Sequence, residues 1–292
     1  MINIESLNGK IFISDGAWGT FLQKKGLQPG ECPELWNITH RDAVLDIARS
    51  YIDAGADMIE TNSFGGSRFK LEKYGLAGRV AELNHEAAAI SREAAGQYKW
   101  VLGSIGPTGK LLLIDEVSKD ELYEAFKEQA MALEAGGVDA IVIETMTDLE
   151  EAVIAVKASE ENTAIPVFCT MTFDKLVTED YRTMMGVSPA EMVQPLIDAG
   201  ASVIGANCGN GIEGMVAIVK EIRSENLEIP ILVHANAGMP VYRDGETVFP
   251  ESPCEMAANL KALIDAGANI VGGCCGTTPE HIAMLRETLI TF

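Results

Sequence analysis

Four stretches decide the fold: Ala54-Gly55-Ala56-Asp57-Met58-Ile59, Ala135-Gly136-Gly137-Val138-Asp139-Ala140-Ile141, Ala199-Gly200-Ala201-Ser202-Val203-Ile204 and Ala266-Gly267-Ala268-Asn269-Ile270-Val271. In each, a helical pattern ends in Ala-Gly and runs straight into an apolar segment of strand character. Glycine after a helix is a usual stop, because it enters the left-handed conformation without a Cβ clash. The four starts lie 81, 64 and 67 residues apart, about twice the ~30 residues of one strand-helix unit. Each interval therefore skips one unit.

The skipped strands are Lys10–Asp15, Trp100–Ile105, Pro166–Met171 and Ile229–Ala235. That makes eight β-rich segments, most followed by an amphipathic stretch such as Ser118–Ala135 or Ser252–Ala266. Near-continuous apolar strands alternating with helices imply a parallel sheet covered on its faces. Eight such units predict the α/β class and a single (β/α)8 TIM barrel. An open doubly wound sheet is the alternative, but no G-x-G-x-x-G follows the first strand to support a dinucleotide site. No linker-like shift in composition interrupts the pattern, so one domain over residues 1–292 is expected. A barrel typically takes about 250 residues, which leaves room for one barrel and nothing else.

The chain carries 22 Lys+Arg against 43 Asp+Glu, a formal net charge of −21. Nucleic acid and anionic membranes are bound mainly through Lys and Arg, so neither is an expected partner. With 47% hydrophobic and 22% charged residues, the composition supports a large packed core. Met1-Ile2-Asn3-Ile4-Glu5-Ser6 has neither the basic nor the apolar part of a secretory signal. No apolar run approaches the roughly 20 residues of a membrane span. Six cysteines in a chain with its own core point to reduced thiols and a cytoplasmic location.

Barrel active sites form at the C-terminal ends of the strands, and polar, glycine-flanked residues gather there. The first strand ends in Asp15-Gly16-Ala17-Trp18-Gly19-Thr20, the second in Glu60-Thr61-Asn62-Ser63-Phe64-Gly65 and the fourth in Glu144-Thr145-Met146. The sixth gives Asn207-Cys208-Gly209, the seventh Asn236-Ala237-Gly238 and the eighth Gly272-Gly273-Cys274-Cys275-Gly276-Thr277-Thr278-Pro279. Cys208 thus sits two strands from Cys274 and Cys275, a span of about twice the ~4.8 Å strand spacing. Neighbouring residues of a strand normally face opposite ways, yet glycines flank the cysteine pair. Thr277-x-x-Glu280 with Pro279 reads as a helix start. The intervening turn is able to aim both sulfurs inward. Three thiolates suit a tetrahedral Zn2+ with one position open, the arrangement of a catalytic site. Spacing alone leaves the plainer alternative that these are small buried core residues. Cys169 falls inside a strand and reads as core; Cys32 and Cys254 have no evident partner. Of the four histidines only His234 lies near a strand end. Gly106-Pro107-Thr108-Gly109 lacks the Lys and Ser/Thr of a phosphate loop.

Taken together, Asp15 to Thr20, Glu60 to Gly65, Gly106 to Gly109, Asn207-Cys208, Asn236 to Gly238 and Gly272 to His281 resemble the homocysteine S-methyltransferase family. The resemblance covers nearly the whole chain. The opening Asp-Gly-Ala-Trp-Gly-Thr is more similar to the homocysteine-binding module of the cobalamin-linked branch than to the betaine or S-methylmethionine branches. It implies a (β/α)8 barrel, zinc held by Cys208, Cys274 and Cys275, and a methyl group delivered by methylcobalamin on a separate corrinoid protein. Asp15 and Glu144 are implied to serve catalysis by holding the substrate ammonium, the backbone at Gly16-Ala17 its carboxylate, with Asn236 and Asn207 in support.

A free thiol is only a few per cent thiolate at neutral pH, and zinc coordination removes its proton. The expected function is therefore zinc-activated methylation of homocysteine to methionine. Alternatives are S-methylmethionine or another donor, another thiol in a corrinoid-linked pathway, or a non-catalytic zinc-binding scaffold. Two loops depart from the resembled branch: Gly209-Asn210-Gly211-Ile212-Glu213-Gly214 and Thr183-Met184-Met185-Gly186-Val187-Ser188-Pro189. Given the acidic chain, a partner's docking face is expected to be neutral or basic.

Overall fold

The computed structural model describes residues 4–7, 9–243 and 245–292. Eight strands, β1 (Phe12–Ile13), β2 (Met58–Glu60), β3 (Trp100–Ile105), β4 (Ala140–Met146), β5 (Val167–Met171), β6 (Val203–Gly211), β7 (Ile231–Asn236) and β8 (Ile270–Gly273), form one parallel sheet. Their order, β1-β8-β7-β6-β5-β4-β3-β2, is that of a barrel opened between β1 and β2. The principal helices between and after them are α1 (Arg41–Asp53), α2 (Val80–Ala95), α3 (Lys119–Ala135), α4 (Leu149–Glu160), α5 (Pro189–Asp198), α6 (Ile212–Glu225), α7 (Leu260–Ala266) and α8 (Pro279–Leu289). A short helix, Pro253–Ala258, precedes α7, so the expected single helix over 252–266 is broken at Asn259.

The seam between β1 and β2 is closed by aspartates rather than by a ladder. The Asp57 N–H donates to the Ile13 carbonyl at 2.7 Å, and the Ile13 N–H to Asp57 Oδ2 at 3.0 Å. Further up, the Glu60 N–H donates to Asp15 Oδ2 at 2.8 Å. This explains why β1 is shorter than the expected 10–15 segment: past Ile13 a carboxylate takes over the role of a strand partner.

Successive strand residues face opposite ways, and burial sorts them into two layers. Met58, Leu102, Ala140, Val142, Phe168, Val203, Leu232 and Ile270 pack together in the barrel interior, with Leu7 of the 3-10 turn Ile4–Leu7 among them. Ile13, Ile59, Val101, Ile141, Ile143, Val167, Ile204, Val233 and Val271 pack outward in the larger cluster that takes in the helices. One inward step above the apolar interior come Glu60, Ser104, Glu144, Thr170, Asn207 and His234, all buried. The polar layer is thus fixed by a period of two, and it lies at the C-terminal mouth.

The repeats end helices as expected. Gly55, Gly200 and Gly267 have φ of 96°, 105° and 113°. In the second repeat the left-handed residue is Gly137 (φ 99°), because Gly136 still has helical dihedrals. Ser118, Ser188 and Ser252 start helices in capping boxes with Glu121, Glu191 and Glu255, each cap being worth about 1 kcal/mol. Two hairpins, Asp174–Lys175 with Tyr181–Arg182 and Val241–Arg243 with Glu246–Val248, stand on the loops after β5 and β7. No helix among the described residues is long and apolar enough to cross a membrane.

Candidate active site

Three sulfurs meet at the mouth. One ligand atom each of Cys208, Cys274 and Cys275 lies within 4.8 Å of the others, and the Cys208 and Cys275 sulfurs are 4.0 Å apart. Cys208 ends the inward-facing part of β6 with φ 58°, and Thr145, at the end of β4, has φ 59°. These are left-handed values that side chains rarely adopt. The cysteine pair is carried by a turn tied down through its backbone. The Cys274 N–H donates to the Ala235 carbonyl at 2.6 Å, the Ala237 N–H to the Cys275 carbonyl at 3.0 Å, and Thr277 Oγ1 to the Cys274 carbonyl at 2.7 Å. Gly276 has φ 82°, and a Cβ there would lie 2.2 Å from Phe249 Cβ. That turn brings two sequence neighbours onto one side, as the cluster requires. The helix after it is capped by Thr278 with His281, one residue later than the Thr277–Glu280 expectation.

Asn207 links the sulfurs to the acids. Its Oδ1 accepts from the Thr145 N–H at 2.7 Å and from Thr170 Oγ1 at 2.8 Å. Its Nδ2 donates to Thr145 Oγ1 at 2.7 Å and approaches Glu144 Oε2 at 3.4 Å and Cys274 Sγ at 4.0 Å. Asn236 hydrogen-bonds Cys208, and its Oδ1 is buried without a partner. Hydrogen bonds from Cys274 and Cys275 draw the Cys208 thiol well below its ordinary pKa, and the same bonds push the other two up. Among the described residues this is the one group of His, Cys, Asp and Glu placed to hold a metal ion.

Beside the sulfurs is a cavity of about 270 Å3 lined by residues that include Gly16, Ala17, Glu60, Ser104, Glu144 and His234. It lies at the small end of ligand pockets. Glu144 Oε1 accepts a short hydrogen bond from Ser104 Oγ. Asp15 is buried behind the wall. Its Oδ2 accepts from the Trp18 indole and from the Glu60 N–H, both at 2.8 Å. The Ala17 N–H is engaged by Thr277 Oγ1 at 3.0 Å and the Ala17 carbonyl by Tyr51 at 2.8 Å.

Sequence reasoning passed over Glu60, although the argument that singles out Glu144, an acid closing an apolar strand, applies to it equally. His234 Nδ1 stands 3.3 Å from Glu60 Oε1, but the two are not aligned as a hydrogen bond, and Glu60 Oε1 and His234 Nε2 have no hydrogen-bond partner. Elsewhere, Cys169 is core as expected, Cys32 donates to Glu34 at 3.3 Å, and the 106–109 loop spends its Thr108 donors on Glu151.

Burial lifts Asp15 to about 7, with Glu60 adding to it, and lifts Glu60 to about 8. Glu144 is raised by burial and by Glu60, and burial holds His234 below its ordinary value. Asp15 and Glu60 therefore bind protons more tightly in the folded protein than in the unfolded chain. Their contribution to stability is fully present below about pH 4 and is lost as pH rises through about 7 to 8. Thermal unfolding of the ligand-free protein should show this fall. A Glu60→Gln variant should flatten the profile, and an unchanged slope would count against the shift.

A sequence profile described as homocysteine S-methyltransferase matches residues 12–289. The chain belongs to the homocysteine S-methyltransferase family. Methionine synthases of Mycobacterium leprae (strain TN) and Mycobacterium tuberculosis (strain ATCC 25618 / H37Rv) are each 34% identical over 96% of this chain. The chain spans about a quarter of the length of these curated relatives, 24% in both. Crystal structures of the homocysteine methyltransferase MmuM from Escherichia coli match the fold. The metallated form gives a TM-score of 0.78 at 21% identity, over 96% of each chain. The oxidized form gives 0.79 at 22%, over 98% of this chain and 99% of that one.

Proposed function

We propose that this chain methylates the thiol of homocysteine to give methionine, with Cys208, Cys274 and Cys275 holding Zn2+. The observation that carries the reading is the convergence of three sulfurs beside a small cavity walled by buried acids. The donor set fits zinc. Three soft thiolates leave one of four positions open, and the orphaned Asn236 Oδ1 is a neutral oxygen within the same cluster. Zinc bound there supplies the proton loss that turns an incoming thiol into a nucleophile at neutral pH.

The chain's own groups do the rest. The two neighbouring sulfurs draw the Cys208 thiol below its ordinary value. Asn207 holds the mouth end of β4 against β6, so that Glu144 and Cys274 keep a fixed relation. Glu60 and Glu144 line one buried cavity with Asp15 behind its wall, and ionised carboxyls so placed repel. A substrate ammonium is the cation that relieves this, which supports an amino-acid thiol over a simple one. Gly16 and Ala17 line the same cavity, and a substrate carboxylate held by the Ala17 N–H would replace Thr277 Oγ1 there.

For the donor we favour a methylcorrinoid on a separate protein, on the likeness to methionine synthases. The mouth loops expose apolar side chains such as Leu113, Val177, Met184 and Tyr242, a surface suited to a docking partner. We treat 1–292 as one barrel domain, and its free thiols suit the cytoplasm. Zinc K-edge absorption with and without L-homocysteine tests the reading. Gain of one sulfur neighbour is expected, and an unchanged spectrum would overturn it. In a donor panel, turnover with S-methylmethionine but none with methylcobalamin would reassign the donor.

A further inference from the structure

We infer that Asn210 and Thr172 are positioning residues for the Cys208 thiol, holding the bulge that carries it against the end of β5. The inference rests on the reading of the three cysteines as one metal site, and it gives a role to the 209–214 loop that departs from the resembled branch.

The three sulfurs are not held alike. The Cys274-Cys275 turn is pinned by its own backbone and by Thr277, and of the three cysteines only Cys208 has left-handed dihedrals. Strand register shows where that conformation comes from. β6 pairs with β5 as far as Ala206 opposite Met171, and with β7 as far as Asn207 opposite His234. Pairing with β7 resumes at Gly211 opposite Asn236, so β6 spends more residues on this interval than β7 does. The surplus is a bulge over residues 208–210, a device that interrupts pairing and re-aims a side chain. In it Cys208 at φ 58° is followed by Gly209 at φ 70°, dihedrals that strand backbone does not hold.

Where the ladder to β5 stops, side chains take over. Thr172 Oγ1 donates to the Asn207 carbonyl at 2.9 Å, and Asn210 Nδ2 donates to the Phe173 carbonyl at 2.6 Å. One tie fixes the peptide just before Cys208, and the other fixes the residue two beyond it. Phe173 is itself buried in the outer cluster, which makes it a firm anchor. The glycines of the loop serve the same approach: a Cβ on Gly209 would stand 2.7 Å from the Phe173 carbonyl oxygen, and one on Gly214 would stand 3.0 Å from Asn210 Cβ. Asn210 is buried, and it is not spent as a helix cap, because α6 starts from Gly211 with no side chain closing its first turn. Without the two ties the bulge is free to relax toward ordinary dihedrals, and that rotation turns the Cys208 sulfur away from the other two.

The test reads metal binding rather than turnover. Zinc affinity is measured by competition with a chelator, and Co2+ in place of zinc reports its thiolate ligands through sulfur-to-metal charge-transfer absorption. Asn210→Ala is expected to bind zinc about 10–100-fold more weakly, the usual loss when a group that orients a metal ligand is removed. Its absorption per bound cobalt should fall by the share of one thiolate in three. Asn210→Asp, nearly the same shape but without an N–H for the Phe173 carbonyl, should behave alike. Thr172→Val removes the other tie, and the same change is expected there should the Asn210 variants not fold. Wild-type affinity, or undiminished absorption per cobalt, in the variants that fold would overturn the inference while leaving the three-cysteine site intact. A wild type without thiolate absorption would overturn that site, and the inference with it. Ile47→Val trims the outer core on α1, away from β5 and β6, and controls for lost stability. It should bind zinc as the wild type does, and an equal weakening there would also overturn the inference.

Discussion

The Cys274→Ser/Cys275→Ser variant is expected to fold like the wild type and to bind no stoichiometric zinc. Zinc selects thiolate sulfur through softness as well as charge, and a serine hydroxyl is not deprotonated under the same conditions. The turn that carries the pair is held by backbone groups, the Cys274 N–H on Ala235 and the Cys275 carbonyl on Ala237, and by the Thr277 hydroxyl. None of these needs sulfur. The loss should therefore be confined to the metal and to turnover. Changing residues that only support a metal ligand costs about 10–100-fold, so losing two ligands should reduce methionine formation by more than that. Metal analysis of protein purified from zinc-supplemented cells, with circular dichroism beside it, reads both parts. A full equivalent of zinc in the double variant would remove these cysteines from the site.

Gly205→Ala should be the most damaging single change in the barrel. Gly205 faces inward on β6 opposite Leu232 of β7, and a Cβ there would lie 1.8 Å from the Leu232 carbonyl oxygen and 2.8 Å from its carbon. No rotamer relieves a clash with backbone, so one methyl group must push β6 and β7 apart. These strands carry Cys208, His234 and Asn236, and their pairing cannot yield without disturbing all three. A loss above about 4 kcal/mol is expected, the upper tail for single substitutions, seen as insoluble protein or a collapsed melting temperature. Gly78→Ala is the control, since nothing lies within 4 Å of a Cβ there. Soluble Gly205→Ala protein with a wild-type melting temperature would refute the strand spacing described here.

The barrel was legible because its signal is local. A helix stop followed by an apolar run is written in consecutive residues, and the eight strands lie where that pattern places them. The thiols were legible because glycines around Cys274-Cys275 mark a turn. Pro279 could also have fixed the cap: proline favours the first helical position, which makes Thr278 the cap residue. What escaped the sequence depends on pairs of strands. Whether Asp15 or Glu60 faces the cavity follows from which neighbour of each lies inside, and that needs the register across the seam. Asn207 likewise reads in sequence equally as a supporting residue or a turn residue, and what it holds is seen only in its contacts with Thr145, Thr170 and Glu144. The exchange of a strand ladder for the Asp15 and Asp57 carboxylates at the seam has no signature in periodicity at all.

Cys208 and Thr145 stand in left-handed backbone at φ 58° and 59°, a conformation that costs about 1–2 kcal/mol for a residue with a Cβ. Glycine would occupy either position more comfortably. A library of variants sorted only for heat resistance should therefore drift toward glycine at these two positions, and the Cys208 change would strip one thiol from the cluster. Thermal tolerance and chemical competence pull this barrel in opposite directions at its own mouth, so attempts to harden it are best made among the helices.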